Sequence, residues 1–157
     1  MEIFGKSTIN PLLYYSGKIV GYIVWIILAL SLLNISKIED SSFYYAKVIS
    51  IFLLCIGLLF AFFSLINLGR STRLGLPKKP TIFKENGIYR ISRNPMYIGF
   101  GLITISSMIY TMNLLVGIMG IYSLFVYHLI ILSEEKFLEN RFGRKYIEYK
   151  KKVRRYL

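Results

Sequence analysis

Long uncharged stretches alternate with short charged segments along this chain, and the length of each stretch limits the element it can form. Ile19 to Ile35 runs for 17 residues without a formal charge, at the short end of the roughly 17 to 25 that carry a helix across a bilayer. Val48 to Leu68 is uncharged for 21 residues, which at about 1.5 Å per residue matches a hydrocarbon layer about 30 Å thick. Met96 to Leu132 carries no formal charge over 37 residues, too long for one crossing, and Thr111-Met112-Asn113 puts a polar break near its middle. The pattern therefore predicts two helices joined by a tight turn there, and four membrane helices in all. The first 17 residues, with Glu2, Lys6 and Pro11, lack the basic start and small-residue cleavage site of a signal peptide. They are expected to lie in the membrane interface, beside Tyr14 and Tyr15.

Composition agrees with a membrane protein. The chain has 157 residues, 55% apolar and 16% aromatic, more greasy surface than a small soluble domain can keep from water. The expected fold is all-α, an integral membrane helical bundle with a C-terminal helical hairpin and a cytosolic helical tail. It forms a single domain over residues 1–157, with N-terminal helices in 1–68 and a polar-rich half in 69–157. Any chemistry must be built from helix ends and short loops. The single cysteine, Cys55, lies in an apolar run, so a disulfide framework and cysteine-based metal sites are excluded, and no metal is expected.

Charge changes the picture further. The 20 Lys and Arg against 8 Asp and Glu give a net charge of +12. With four helices, the N-terminus, the second loop and the C-terminal tail share one face, which carries 18 of those 20 basic residues. The positive-inside rule puts that face, and both termini, in the cytosol, at the inner membrane if the source is prokaryotic. Topology and attraction to anionic membrane lipids account for the basic excess, and no nucleic acid partner is needed.

The polar and unusual residues fall in two places. From Gly87 to Gly101 the chain reads G-I-Y-R-I-S-R-N-P-M-Y-I-G-F-G. Pro95 has no N–H to leave unpaired and can start a helix, while Asn94 before it is pushed toward extended geometry. Gly99 and Gly101 fall in the first turns, where backbone can approach a bound molecule or a neighbouring helix closely. The second place, His128 to Tyr156, carries Glu134-Glu135, two adjacent carboxylates just behind a span. Such a pair is costly in a negative leaflet field unless cations or ligand donors meet it. Bound amines or hydroxyls would meet it; so would ion pairs, with Arg141 seven residues from Glu134 and Glu148 four from Lys152. His128, the only histidine, lies about two turns deeper on a similar face, either as a functional group or bonded to a neighbouring helix. Arg155 reads as part of a solvated tail. Phosphate-loop, zincin and hydrolase-elbow motifs are absent.

Together, Gly87-Ile88-Tyr89-Arg90-Ile91-Ser92-Arg93-Asn94-Pro95-Met96-Tyr97-Ile98-Gly99, then Glu134-Glu135-Lys136-Phe137-Leu138, then Phe142-Gly143-Arg144-Lys145-Tyr146-Ile147-Glu148-Tyr149 and then Val153-Arg154-Arg155, resemble the isoprenylcysteine carboxyl methyltransferase and phospholipid methyltransferase superfamily. The resemblance covers roughly residues 80–156. It implies methyl transfer from S-adenosyl-L-methionine in an all-helical membrane fold, making 69–157 the cofactor-binding half. Gly99, Gly101, Glu134 and Glu135 occupy places associated with the cofactor in that superfamily. Glutamate can accept from its hydroxyls or ammonium, Arg93 can hold its carboxylate, and Tyr89, Tyr97, Tyr146 and Tyr149 can stack on adenine or face the sulfonium. Asn94 stands where many members have histidine and keeps hydrogen bonding without an imidazole. The catalytic candidates are Arg93, His128 and Glu135. The acceptor is a lipophilic small molecule or lipid: a prenylcysteine-like carboxylate, a phospholipid amine or a thiol. The rival readings are an NADPH-dependent membrane reductase of the sterol reductase type and a non-catalytic lipid-binding membrane protein.

Overall fold

The computed structural model describes residues 9–35, 44–68, 83 and 85–157. The described residues form helices α1 (Pro11–Leu32), α2 (Tyr44–Leu68), α3 (Pro95–Thr111), α4 (Leu114–Phe142) and α5 (Arg144–Lys152), with a short 3₁₀ turn at Gly87–Arg90 before α3. The first loop around Lys37, Glu39 and Asp40, and the basic stretch 69–82, lie outside the described residues.

α1 begins earlier than the charge pattern suggests. Asn10 caps it, its side chain accepting from the Leu12 N–H, and Pro11 occupies the first turn, so Tyr14, Tyr15 and Lys18 belong to the helix. Lys18 is accommodated because its ammonium donates to the Tyr14 hydroxyl and lies 4.1 Å from that ring's centre. The break at 111–113 falls where the polar residues put it: Met112 takes a left-handed conformation, and the Asn113 side chain accepts from the Leu115 and Val116 N–H groups to start α4. α1, α2 and α4 are each long and apolar enough to cross a membrane; α3 is a shorter apolar helix of 17 residues, about 26 Å long. With 29 residues, α4 overshoots its hairpin partner and carries the glutamate pair to the level of the start of α3.

α3 is the central helix, packing along α2 and touching α1 and α4, while α1 lies mainly on α4. Lipid is as apolar as leucine, so close packing and polar bonds hold these helices together. Ser106 donates to the Ser50 carbonyl, Ser107 to that of Val24 and Ser123 to that of Gly17, while the Trp25 indole donates to Thr104. Phe52, Phe62, Phe63 and Phe125 remain exposed on the outer surface, as the lipid-facing side of a bundle requires.

Candidate functional site

The segment entering α3 and the end of α4 meet, and the C-terminal tail lies across both. The positive φ of Gly143 ends α4 and turns the chain into α5, and after Val153 the tail runs extended over the entry to α3. There the Arg93 N–H donates to the Arg154 carbonyl, while the Ser92 hydroxyl and the Asn94 side-chain amide donate to that of Arg155.

Glu135 is the centre of this arrangement. It is buried, with one oxygen accepting from Asn94 Nδ2 at 3.0 Å and lying 3.4 Å from Arg93 Nη2. The other oxygen accepts from Arg155 Nε and Nη2 at 3.1 and 3.0 Å. Arg155 is therefore not a solvated tail residue; it is the bidentate partner of Glu135, and that bond raises its pKa. The Arg93 guanidinium is only partly used among the described residues, where its Nε and Nη1 are buried with no hydrogen-bond partner. Buried donors left unmet in this way are uncommon and call for an explanation.

Glu134 points elsewhere, accepting from the Tyr97 hydroxyl at 2.9 Å. Arg141 lies over the Phe137 and Phe142 rings, and Glu148 pairs with Arg144 rather than Lys152. Glu139, four residues beyond Glu135, is met by Lys150 at 2.9 Å.

A cavity of about 470 Å³ opens between α3 and α4, with Tyr156 and Leu157 of the tail contributing to its lining. Its walls are largely aliphatic, from Ile98, Leu102 and Ile105 on α3 and Leu124 and Ile131 on α4, with polar edges from Tyr97, Tyr127, His128 and Tyr156. His128 Nδ1 lies 2.6 Å from the Tyr156 hydroxyl. Gly101 lines this space, and a Cβ built on it would come no closer than 3.6 Å to Leu124. Gly99 does not line it. A Cβ there would fall 2.7 Å from the Gly57 carbonyl oxygen and 2.8 Å from the Ala61 nitrogen, so Gly99 serves the α2–α3 contact rather than access to a ligand.

The remaining tyrosines form a buried prop. Tyr89 shares a hydrogen bond with Ser64, Tyr149 donates to the Tyr89 carbonyl, and Tyr146 and Tyr149 pack around Phe83. Burial pushes the Tyr89 phenol up to about 12 and those of Tyr146 and Tyr149 higher, so all three are neutral at physiological pH. None of the three lines the cavity. The structure thus brings Arg93, Asn94 and Glu135 into one network, joins Tyr97 to Glu134, and sets His128 and Gly101 on the cavity wall. Sequence reasoning missed Ser92, Tyr127, Arg155 and Tyr156. Ser92 and Arg155 both stood inside the resembling segments, but nothing in a run of basic residues singles out Arg155 as the partner of Glu135.

This junction, between the N-P-x-Y helix start and a double glutamate, is where known proteins become informative: a match to the phospholipid methyltransferase family covers residues 45–145. The chain belongs to that family. Searches of curated proteins and of solved structures returned no match. Family membership makes the chain a membrane methyltransferase in general terms. The matched span runs from α2 to the start of α5, so α1, Tyr146, Tyr149 and the strap from Val153 to Leu157 lie beyond it.

Proposed function

We propose that this protein transfers a methyl group from S-adenosylmethionine to a lipophilic acceptor held in the membrane. The observation that carries the reading is Arg93. Its guanidinium is fixed by Glu135 and keeps two buried N–H groups without an acceptor among the described residues, a donor set suited to the carboxylate of an amino-acid moiety. The cavity between α3 and α4, whose lining does not include Arg93, suits the rest of the cofactor. A space of about 470 Å³ lies within the roughly 300–1,000 Å³ of small-molecule sites. Tyr97, Tyr127 and Tyr156 offer aromatic faces to a purine or a sulfonium, and Tyr97 ties that wall to the Glu134 carboxylate. When bound, S-adenosylmethionine supplies an activated methyl group on sulfur. The chain's own contribution is to bind the charged end at Arg93 and to orient the acceptor along the aliphatic wall. The same reading places both termini in the cytosol, since 18 of the 20 basic residues share that face.

Calorimetry on the detergent-purified protein tests the cofactor. Saturable binding of S-adenosylmethionine or S-adenosylhomocysteine is expected, with none of NADPH. Binding of NADPH without response to either sulfur compound would overturn the reading in favour of a reductase.

A further inference from the structure

Three side chains of the motif regions can take a proton from an acceptor, His128, Glu134 and Glu135, and the structure treats them differently. Glu135 has both oxygens engaged by Asn94, Arg93 and Arg155. Glu134 accepts from Tyr97 and does not line the cavity. His128 does line it, with its Nδ1 on the Tyr156 hydroxyl and the two rings stacked at 25°. With Nδ1 engaged there, Nε2 is the ring nitrogen not tied to Tyr156. The other titratable side chains on this wall are the phenols of Tyr97, Tyr127 and Tyr156. Arg155, the neighbouring cation, is tied to Glu135.

We infer that His128, oriented by Tyr156, accepts the proton of the methyl acceptor. This rests on the methyltransferase reading above. A neutral imidazole has one donor and one acceptor nitrogen, and the bond made by one decides the role of the other. When Nδ1–H donates to the Tyr156 oxygen, Nε2 carries the lone pair and is the base. On transfer the acceptor atom would bond the methyl carbon as the carbon–sulfur bond breaks with its electron pair left on sulfur, while the acceptor's N–H or O–H bond breaks, that pair stays on the acceptor atom and the proton adds to Nε2. The resulting imidazolium keeps its Nδ1–H on Tyr156. A carboxylate acceptor has no proton to give, and its charge would face the Nε2 lone pair. Tyr156 is the positioning residue. It is held because the adjacent main chain accepts from Arg93, Ser92 and Asn94, and because Arg155 is anchored on Glu135.

His128 is the only histidine, so protein labelled with ¹⁵N-histidine yields one pair of ring-nitrogen signals. In the full chain in detergent, Nδ1 is expected protonated and Nε2 bare, and Tyr156→Phe should reverse that preference. Dodecylamine, used as the probe, should shift the Nε2 signal and leave Nδ1 in place, while dodecanoate should shift neither. A protonated Nε2 in the native chain, or an Nε2 signal unmoved by saturating dodecylamine, would overturn the inference. Binding of S-adenosylhomocysteine, measured on the same samples, separates the two levels: its absence with the ring signals as expected counts against methyl transfer and not against the His128 geometry.

Discussion

Replacing Glu135 by glutamine separates a structural lock from a ligand acceptor. The change keeps shape but removes the one anion facing two guanidinium groups, of which the Arg93 side chain is 9% exposed and that of Arg155 35%. Removing one member of a buried ion pair costs about 3–5 kcal/mol. The lower end applies here, about 3 kcal/mol, because Arg155 can turn to solvent and glutamine still accepts one bond. For a chain of this length each kcal/mol moves the melting temperature by about 2–4 °C, so Glu135→Gln should melt about 6–12 °C lower. Arg155→Gln removes only a partly exposed charged bond, worth about 1 kcal/mol, or about 2–4 °C. The double variant should melt above the sum of the two losses, because removing both partners leaves less charge unbalanced. Thermal unfolding in detergent, followed by the fluorescence of the single tryptophan, Trp25, reads all three, with cofactor affinity measured on the same preparations. A Glu135→Gln protein that melts within about 2 °C of the native chain yet binds cofactor tenfold more weakly would refute this reasoning, because Glu135 would then be a ligand acceptor and not a lock.

Glu134→Gln should do the opposite, leaving the melting temperature nearly unchanged and weakening cofactor binding by about ten- to a hundredfold, the loss of one charged hydrogen bond. Gly99→Ala should destabilise the fold by about 1–3 kcal/mol because its Cβ meets backbone of α2, whereas Gly101→Ala should fold normally; equal melting curves for the two would contradict the α2–α3 contact. Tyr89 is held neutral, with its pKa pushed up to about 12 from 10.0, so its contribution to stability is complete below pH 10 and lost as pH rises toward 12; melting temperature against pH should fall across that window in the native chain and less steeply in Tyr89→Phe. In a Cys55→Ala background, an impermeant thiol reagent applied to sealed cells should label Asn113→Cys and spare Lys145→Cys, and the reverse would invert the orientation.

The helices were largely legible because crossing a bilayer demands length and absence of charge, both visible in the residues themselves. The break before α4 was legible for the same reason, since Asn113 is a capping residue between apolar runs. The start of α1 was not: Lys18 ended the uncharged run, and Tyr14, one helical turn away, accommodates its ammonium within the helix. Gly99 and Gly101 look alike in sequence, yet Gly99 faces α2 and Gly101 the cavity, a difference set by which neighbour lies on each side of α3. Glu134 and Glu135 likewise look equivalent, but adjacent helical positions point about 100° apart, so one meets Tyr97 and the other the arginine network. The return of Arg155 to Glu135 depends on the turn at Gly143 and the extended run after Val153, a long-range pairing that no local pattern encodes.

The most direct test of the central claim is transfer of label from S-adenosylmethionine carrying a tritiated methyl group, incubated with membranes from cells expressing the chain. The expected result is tritium in the fraction extracted by organic solvent, well above membranes lacking the chain, and its loss in Arg93→Gln. Organic-soluble counts no higher than the control, from membranes whose protein is folded and binds S-adenosylhomocysteine, would contradict methyl transfer to a lipophilic acceptor.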